Sequence, residues 1–381
     1  MISGNDRSQS SEQDFDDGNG PQSGANVTPV LYAIDVATPS DLETDDVGPP
    51  LCQDVEGSAE EVVAGGEKHR SKGLVTDEHL WLPPNLEAGC PWDSVNYSCA
   101  FDVVFMAFYS IYGQSNHTWR GMWRAESPEW NVPLGRLFDE LLAVTITGDS
   151  AQPLSSFFSD CRDVFRDQIT QSNPTLFPRG HHFSPVVNIL QLMLGGTNAQ
   201  PLAHQDLICQ GCHAKKDHQF SVSYLGNSWY STQLRNEADP SIMPLEVILA
   251  RFIERFKTEP GPSHQECSSC QGTREVRSLH FSETSWTWFE VTEKDQPFYP
   301  SFEITYRCEA TQPTHTLHAA IYIGNCHFTA RMRRGPTSWW EYDSQVELGK
   351  PQPKTIATEE ELRWFGNKRL AFLIYRQHDV N

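Results

Sequence analysis

Two short cysteine pairs constrain the fold of this chain more than any other feature of its sequence. They are Cys209-Gln-Gly-Cys212 and Cys267-Ser-Ser-Cys270, and 54 residues separate them. A C-x-x-C pair closes a small loop that points two thiolates at one metal ion, so two such pairs complete a tetrahedral zinc site. The sequence therefore predicts a structural zinc bound by Cys209, Cys212, Cys267 and Cys270, at the base of paired strands and not in a miniature domain.

The type of ligand limits what such a zinc would do. A site closed by four thiolates leaves no open position for water, so we do not expect a catalytic metal. Paired cysteines among ten in the chain indicate metal ligands in a reducing compartment. Two alternatives remain open: unrelated surface cysteines, or replacement of one ligand by a neighbouring histidine. The neighbouring histidines are His204, His213, His218 and His264.

Residues 1–80 differ in composition from the rest of the chain. They hold 17 Asp and Glu against 4 Lys and Arg, with almost no aromatic residues. Because such a segment cannot bury enough surface to offset its chain entropy, we expect a disordered acidic N-terminal tail over 1–80. The net charge of the whole chain is -21 and no basic cluster stands out, so we expect a protein partner and no nucleic acid.

The hydropathy pattern gives no sign of a membrane segment. No stretch approaches the roughly 20 apolar residues needed to cross a bilayer. The N-terminus also lacks the charged start and apolar core of a secretory signal. We therefore expect a soluble protein of the cytoplasm or nucleus, without a membrane partner.

Helical patterns come first along the chain and strand patterns follow. Residues 99–112 form a long apolar run of helical length, and residues 120–200 are mostly amphipathic with helical spacing. From residue 220 onward apolar and polar residues alternate, which is typical of strands, and one helical segment at 245–256 interrupts them. This order predicts an α+β fold and not an alternating parallel sheet.

Three residues supply the groups that a thiol protease needs, and they follow in the chain order Cys99, His327, Asp343. A thiol attacks a carbonyl as the thiolate, so it needs a base that accepts its proton and a third group that orients the base. Cys99 begins the apolar run, and a helix N-terminus lowers the pKa of a thiol. Asp343 follows His327 beyond a Gly-Pro turn, which allows a contact across a hairpin. The small residues Gly324 and Ala330 suit a backbone that passes close to a substrate.

Each of the three also has a purely structural interpretation. Free cysteines are among the most buried residues, so Cys99 alone fits an ordinary core position. His327 alone fits a hydrogen-bonded core histidine, and Asp343 fits a turn cap. The combination of the three is what favours catalysis.

Several segments together resemble the ubiquitin-specific protease family of deubiquitinating enzymes. The segment that begins at Cys99 resembles the cysteine box of that family, and the two C-x-x-C pairs resemble its zinc fingers. Its histidine box, its acid segment and its closing strand are similar to Leu317-His-Ala-Ala-Ile with Asn325-Cys-His327-Phe-Thr-Ala, to Trp339-Trp-Glu-Tyr-Asp343-Ser and to Ala371-Phe-Leu-Ile-Tyr-Arg. The resemblance spans about residues 83–377.

This resemblance implies a papain-like cysteine protease fold over residues 81–378. Its parts would be a helical thumb at about 90–200, zinc-containing β fingers at about 201–290 and a β-rich palm at about 291–378. It also implies a thiol-dependent isopeptidase that removes ubiquitin, or a ubiquitin-like modifier, from modified proteins. Cys99 would be the nucleophile, His327 the base and Asp343 the orienting acid.

The chain departs from the family pattern around the nucleophile. The family has an oxyanion-donating Asn five positions before its cysteine, where this chain has Ser94, so Asn96 and Ser94 are the candidate oxyanion donors. The segment 180–185 replaces the family's Gln-Asp-Ala-x-Glu-Phe. Cys99-Ala-Phe-Asp102 resembles a branch of the clan that cleaves SUMO. A SUMO-specific isopeptidase, a catalytically dead modifier-binding protein and a zinc-organised interaction scaffold therefore remain alternatives.

Overall fold

In the computed structural model of this chain, the residues that the structure describes all lie within one compact unit, Val75–Asn381. The predicted tail over 1–80 lies outside the residues that the structure describes. These residues are 86–148, 152–193, 202–221, 224–225, 242–258, 260, 266–281, 286–291, 298–305 and 314–377. Within them the fold is mixed α and β.

Helices dominate the first part of the described chain, as the sequence predicts. They are α1 Cys99–Gly113, α2 His117–Glu126, α3 Pro128–Thr147, α4 Leu154–Ser172 and α5 Val186–Met193. A further helix, α6 Leu245–Thr258, stands where the helical segment among the strands is predicted. Among the described helices, none combines the length and apolar character that a membrane crossing requires.

A small antiparallel sheet follows α5 and has the strand order β2-β1-β5. Its strands are β1 Leu202–Cys209, β2 Lys215–Ser221 and β5 Arg274–Phe281. Strand structure therefore begins earlier than the alternation from residue 220 predicts. The sequence of β1, Leu-Ala-His-Gln-Asp-Leu-Ile-Cys, alternates only weakly, and this strand is defined by partners on both of its edges.

A second, larger sheet carries the C-terminal half of the chain, in the order β12-β11-β10-β9-β14-β6-β3. Strand β8 also pairs with β9, and β13 pairs with β14. The pairs are antiparallel except for that of β3 with β6. The strands are β3 Tyr224–Leu225, β6 Trp286–Val291, β8 Glu303–Thr305, β9 Thr314–Gly324, β10 His327–Arg333, β11 Ser338–Tyr342, β12 Gln352–Thr355, β13 Trp364–Phe365 and β14 Lys368–Gln377. Separately, β4 Met243–Pro244 pairs in parallel with β7 Phe298–Tyr299.

The central strands of the large sheet are buried on both faces. Successive residues of a strand point to opposite faces, and on β9 Ile321 belongs to the core shared with the helices α1 to α5. The next residue, Tyr322, belongs to a second core that includes residues of α6. The sheet therefore separates two apolar layers, and its central strands are apolar in near-continuous runs.

Helix α1 is the central element of the first core. All of its 15 residues are buried, and Asp102 is its only charged residue. It contacts α3, α4 and α5 as well as β9 and β10 of the large sheet. A helix that is apolar all round is stable only when enclosed in this way. The enclosure brings the first residue of α1, Cys99, next to the start of β10.

Candidate functional site

Cys99 is the first residue of α1, and a hydrogen-bonded turn comes directly before it. The carboxylate of Asp93 accepts hydrogen bonds from the backbone N–H groups of Val95, at 2.9 Å, and Asn96, at 3.3 Å. The backbone N–H of Asp93 donates to the hydroxyl of Ser98 at 2.8 Å. These bonds form a closed turn just before α1, and they fix the direction in which the chain enters this helix at Cys99.

The environment of the Cys99 thiol differs from the one expected at a helix N-terminus. Only 2% of the residue is exposed, and burial raises the pKa of Cys99 to about 11. A hydrogen bond from the backbone N–H of Phe328 lowers it, but the charge of the buried Asp102 acts in the opposite direction. The expectation of a lowered thiol pKa is therefore wrong for this structure, because desolvation outweighs the helix terminus.

His327 and Asp343 meet where the hairpin of β10 and β11 has its open end. His327 is the first residue of β10, and Asp343 follows directly after the last residue of β11. Antiparallel pairing brings the two ends together, and Nε2 of His327 lies 2.7 Å from Oδ1 of Asp343. The other ring nitrogen, Nδ1, is buried and has no hydrogen-bond partner among the described residues.

A lysine that the sequence analysis did not single out completes the surroundings of Asp343. Nζ of Lys368 lies 2.9 Å from Oδ2 of Asp343. Burial acts to raise the pKa of Asp343, but hydrogen bonds from His327 and Lys368 hold it well below its usual range. Only the tertiary fold reveals Lys368, because β14 is remote in sequence from both other residues.

Gly324 lies against the side chain of Lys368. A Cβ at this position would lie 2.9 Å from Cγ and 3.1 Å from Cα of Lys368. The glycine therefore makes room for the stem of Lys368, opposite His327 on the neighbouring strand. Ala330 is fully buried in the core. The expectation that these small residues let the backbone pass close to a substrate stays a prediction.

The four cysteines predicted as metal ligands come together in space. Their sulfur atoms all lie within 4.8 Å of one another. Sγ of Cys209 is 3.4 Å from Sγ of Cys270, and Sγ of Cys212 is 3.7 Å from Sγ of Cys267. A tetrahedral ion with metal–sulfur bonds of about 2.3 Å separates its ligands by about 3.8 Å, so the set fits such an ion. No histidine belongs to this group among the residues that the structure describes.

The two C-x-x-C loops have the same backbone geometry. In each, the residue after the second cysteine takes a left-handed conformation, with φ of 57° at His213 and 58° at Gln271. Its backbone N–H donates to the carbonyl oxygen of the first cysteine, at 3.0 Å and 2.8 Å. Backbone N–H groups of the loops also point at sulfur and lower the pKa of Cys209 and Cys267, that of Cys267 to about 6. A backbone hydrogen bond of Gly272 acts to lower the pKa of Cys270, but the neighbouring thiols raise it to about 11. Each loop thus favours a thiolate at its first cysteine.

The structure thus brings two groups of predicted residues together. Asp343 contacts His327, and the backbone N–H of the residue after His327 reaches the sulfur of Cys99. The four cysteines form the second group. No protein-family model matches this chain, and no curated protein matches its sequence.

A buried ion pair joins the first turn of α1 to α4, and the sequence analysis missed it. Arg162 of α4 donates from Nη1 to Oδ1 of Asp102 at 2.6 Å and to the carbonyl oxygen of Pro91 at 2.9 Å. Oδ2 of Asp102 accepts from the hydroxyl of Ser98 at 2.8 Å. Burial raises the pKa of Asp102 to about 6, although Arg162 lowers it. The pair joins α4, α1 and the segment before Cys99.

Two further hydrogen bonds join that segment to the end of β11. The backbone N–H of Trp92 donates to the carbonyl oxygen of Ser344 at 2.9 Å. The hydroxyl of Tyr342 donates to the carbonyl oxygen of Cys90 at 2.7 Å. Because Tyr342 and Ser344 flank Asp343, these bonds fix the acid relative to the loop that carries Cys99.

The two candidate oxyanion donors lie in different surroundings. Ser94 is exposed. The side chain of Asn96 is held at both ends, because Nδ2 donates to Oδ2 of Asp93 at 2.7 Å and Oδ1 accepts from the backbone N–H of Gly180 at 3.0 Å. Arg166 donates to the carbonyl oxygen of Asn96. These neighbours therefore orient the side chain of Asn96. One N–H of its amide is bound to Asp93, and the second N–H takes no part in that bond.

An aromatic cluster lies beside this turn. Tyr97 has a φ of 45°, and its ring centroid lies 5.0 Å from those of His181 and Phe183. Trp92 stacks on Tyr97 with its centroid at 6.5 Å. Phe183 is 53% exposed. The segment 180–185 thus lies against the loop that carries Cys99.

Proposed function

We propose that this chain is a thiol-dependent isopeptidase that removes ubiquitin or a ubiquitin-like modifier from proteins. The observation that carries the proposal is the arrangement of His327. One ring nitrogen is bound to Asp343, and the other is buried without a described partner. The residue that follows His327 reaches the sulfur of Cys99 through its backbone N–H. Nucleophilic catalysis by cysteine requires a histidine that is oriented by a carboxylate at one ring nitrogen and that has its other nitrogen available to accept a proton.

The first step is the transfer of the thiol proton. Because burial raises the pKa of Cys99 to about 11, the resting thiol is neutral and needs a base at the moment of attack. Nδ1 of His327 accepts that proton while Sγ attacks the carbonyl carbon of the modifier's C-terminal glycine. Asp343 holds the ring in the required tautomer and stabilises the imidazolium that forms.

The later steps return the proton and release the products. The tetrahedral oxyanion accepts hydrogen bonds from the backbone N–H of Cys99 and from the second N–H of the Asn96 amide. The imidazolium of His327 gives its proton to the departing lysine amine as the C–N bond breaks, which leaves a thioester on Cys99. His327 then takes a proton from water, and the resulting hydroxide attacks the thioester carbon. As the C–S bond breaks, His327 returns its proton to Sγ of Cys99, and the modifier leaves with a carboxylic acid that ionises in water.

The overall architecture agrees with this proposal. In a papain-like cysteine protease a central helix carries the nucleophile, and a sheet carries the base and the acid. Here α1 would belong to a helical thumb, and the large sheet would form the palm. The small sheet with Cys209, Cys212, Cys267 and Cys270 would form the fingers, and a structural zinc held by these thiolates would fix the position of the two loops.

A second candidate is a modifier-binding protein without catalytic activity. Two observations favour it. The thiol of Cys99 is almost fully covered, and one N–H of the Asn96 amide is already bound to Asp93. Both features lower the reactivity of Cys99 in the resting state. If substrate binding does not change them, the protein binds the modifier without cleaving it.

Labelling with modifier probes tests these candidates. Ubiquitin and SUMO, each with a C-terminal electrophile, are incubated with the unaltered chain, with Cys99→Ala and with Cys326→Ala. Cys326 is the matched control, because it is an exposed thiol next to His327. We expect an adduct with one modifier that disappears in Cys99→Ala and persists in Cys326→Ala. Binding of a modifier without any adduct would instead establish the non-catalytic candidate, and an adduct that survives in Cys99→Ala would refute the assignment of the nucleophile.

A further inference from the structure

Two arginines of α4 hold the turn before α1 at three points. Nη1 of Arg162 donates to the carbonyl oxygen of Pro91 at 2.9 Å and to the hydroxyl of Ser98 at 3.3 Å. Further along α4, Nη2 of Arg166 donates to the carbonyl oxygen of Asn96. Because residues four apart lie on the same face of a helix, one face of α4 contacts both the flanks and the middle of this turn.

The two arginines differ in what surrounds their charge. Arg162 forms the buried ion pair with Asp102. Arg166 is fully buried, and its Nε and Nη1 have no hydrogen-bond partner among the residues that the structure describes. Burial and the nearby charges of Arg179 and Arg162 lower the pKa of Arg166 to about 10, so this side chain is still a cation at neutral pH. Its described hydrogen bond is therefore the one to Asn96.

The carbonyl that Arg166 binds belongs to a peptide unit with an unusual neighbour. Tyr97 has a φ of 45°, a left-handed conformation that is unfavourable for a bulky side chain. Because a peptide unit is planar, rotation of the unit between Asn96 and Tyr97 changes ψ of the first residue and φ of the second together. A hydrogen bond that fixes the oxygen of this unit therefore fixes the backbone on both of its sides.

The side chain of Asn96 depends on the same turn. Its amide oxygen accepts a hydrogen bond from the backbone N–H of Gly180 at 3.0 Å, and one amide N–H donates to Oδ2 of Asp93 at 2.7 Å. Its backbone N–H donates to Oδ1 of Asp93 at 3.3 Å. With its carbonyl oxygen on Arg166, each hydrogen-bonding group of Asn96 except the second amide N–H has a described partner. Rotation of the peptide unit would move that second N–H, which the proposed mechanism directs at the oxyanion.

We propose that Arg166 is a positioning residue that anchors the peptide unit between Asn96 and Tyr97 and thereby orients the second N–H of the Asn96 amide. The hydrogen bond to the carbonyl oxygen keeps Tyr97 in its left-handed conformation. The catalytic part of this inference rests on the proposed function, whereas the anchoring of the turn is independent of it. Arg166 acts through Asn96 and touches no reacting atom.

Hydrogen exchange of the full chain tests the anchoring without an assay of activity. The backbone N–H groups of Val95 and Asn96 are bound within the turn, so they exchange when the turn opens. Arg166→Met keeps an apolar stem but cannot donate a hydrogen bond. Since a bond from a charged donor is stronger than one from a neutral donor, we expect both groups to exchange at least about tenfold faster in this variant. Exchange in the middle of α1 should not change.

Two further variants separate the hydrogen bond from general effects on the helix. Phe165→Leu is the matched control, because Phe165 is the neighbouring buried residue of α4 and its ring packs on Phe105. It should leave the exchange of the turn unchanged. Arg166→Lys retains a cation that can make the single described bond, so it should restore slow exchange to within about threefold.

Steady-state hydrolysis measures the consequence for catalysis. The substrate is the modifier identified by the probe panel, ubiquitin or SUMO, with a fluorescent amide at its C-terminus. Because loss of one oxyanion donor lowers kcat by roughly 100-fold or more, a misplaced donor in Arg166→Met should lower kcat by about 10- to 100-fold with little change in KM. In an Asn96→Ala background the same substitution should lower kcat by less than about twofold, since its target is already gone. Arg166→Lys should recover most of the lost kcat.

The outcomes for Arg166 and for the proposed function are distinguishable. Unchanged exchange of the turn in folded Arg166→Met overturns the inference, even if the chain is an active isopeptidase. Equal losses of kcat with and without Asn96 also overturn it, because Arg166 then does not act through that residue. Faster exchange of the turn in a chain that no probe labels supports the anchoring by Arg166 and contradicts the isopeptidase proposal instead. If Arg166→Met does not fold, the shorter Arg166→Gln is measured in its place, with the same expected results.

Discussion

Replacement of Arg162 by methionine should destabilise the chain in a manner that depends on pH. Arg162 is 3% exposed at its side chain and binds Asp102, whose side chain has no exposure. It also donates to the carbonyl oxygen of Pro91 and to the hydroxyl of Ser98, at 2.9 Å and 3.3 Å. Arg162→Met retains the apolar stem but leaves a buried carboxylate without its cation. Removal of one member of a buried ion pair costs about 3–5 kcal/mol of the free energy of unfolding.

The raised pKa of Asp102 fixes the direction of the pH dependence. Burial raises this pKa from 3.8 to about 6 with Arg162 present. A group whose folded-state pKa is raised contributes stability that is fully present below its unfolded pKa and is lost as pH rises through the folded value. In Arg162→Met the folded pKa of Asp102 rises further, so the loss continues above pH 6. Each added unit costs about 1.4 kcal/mol.

These values give a measurable difference between two pH conditions. At pH 5 Asp102 is mostly protonated in both proteins, and Arg162→Met loses hydrogen bonds, including those to Pro91, Ser98 and the half-exposed Asp163, but no pairing with a buried carboxylate. That loss costs about 1–2 kcal/mol. At pH 8 the deficit should reach about 3–5 kcal/mol. The deficit should therefore grow by about 2–3 kcal/mol between pH 5 and pH 8.

Equilibrium unfolding in guanidinium chloride at several pH values measures this deficit. Asp102→Asn combined with Arg162→Met is the matched control and is compared with Asp102→Asn alone. Because neither protein has the titrating carboxyl, the deficit between these two variants should not vary with pH. A deficit in Arg162→Met that is equal at pH 5 and pH 8 would falsify the account of the buried pair.

Two other predictions concern a glycine and a metal ligand. Gly349 has a φ of 73°, and a Cβ there would lie 2.1 Å from a backbone carbonyl oxygen, so Gly349→Ala should cost at least about 2 kcal/mol in thermal or denaturant unfolding. Gly366 has a φ of 58° but nothing within 4 Å of the added carbon, so Gly366→Ala should cost only about 1 kcal/mol, and equal costs would contradict the role of the close approach. Cys212→Ser should lower both the zinc content by elemental analysis and the melting temperature, whereas Cys326→Ser should change neither. Full zinc binding by Cys212→Ser would refute the four-thiolate site.

Several elements could be predicted because their signals are local. The run that begins at Cys99 is apolar at every turn of a helix, so both its helical state and its complete burial follow from composition. Each C-x-x-C loop forms its own turn with a left-handed residue at its end. The contact of His327 with Asp343 follows from a short hairpin, in which a turn sets the register of two neighbouring strands.

The features that escaped prediction depend on residues far apart in the chain. Strand β1 alternates weakly and is defined by its two partners. Asp102 and Arg162 are 60 residues apart, and neither residue by itself indicates a buried pair. Lys368 reaches Asp343 only because β14 pairs with β9, which also brings Gly324 against Lys368. The sign of the thiol pKa shift was wrong because a helix terminus is visible in a sequence, whereas the degree of desolvation is not.

The sequence by itself determined which chemical groups the chain can use: a thiol, an imidazole, a carboxylate and two pairs of cysteines at metal-binding spacing. It also determined the local elements that carry them, because helical and strand periodicity depend on neighbouring residues. The tertiary structure alone decided how deeply these groups are buried and which charges lie next to them. Burial sets the resting state of Cys99, the pairing of β14 brings a cation to Asp343, and the packing of α4 on α1 buries an ion pair beneath the thiol. Desolvation and charge–charge distances are properties of the packed chain, so they are fixed only when distant segments meet.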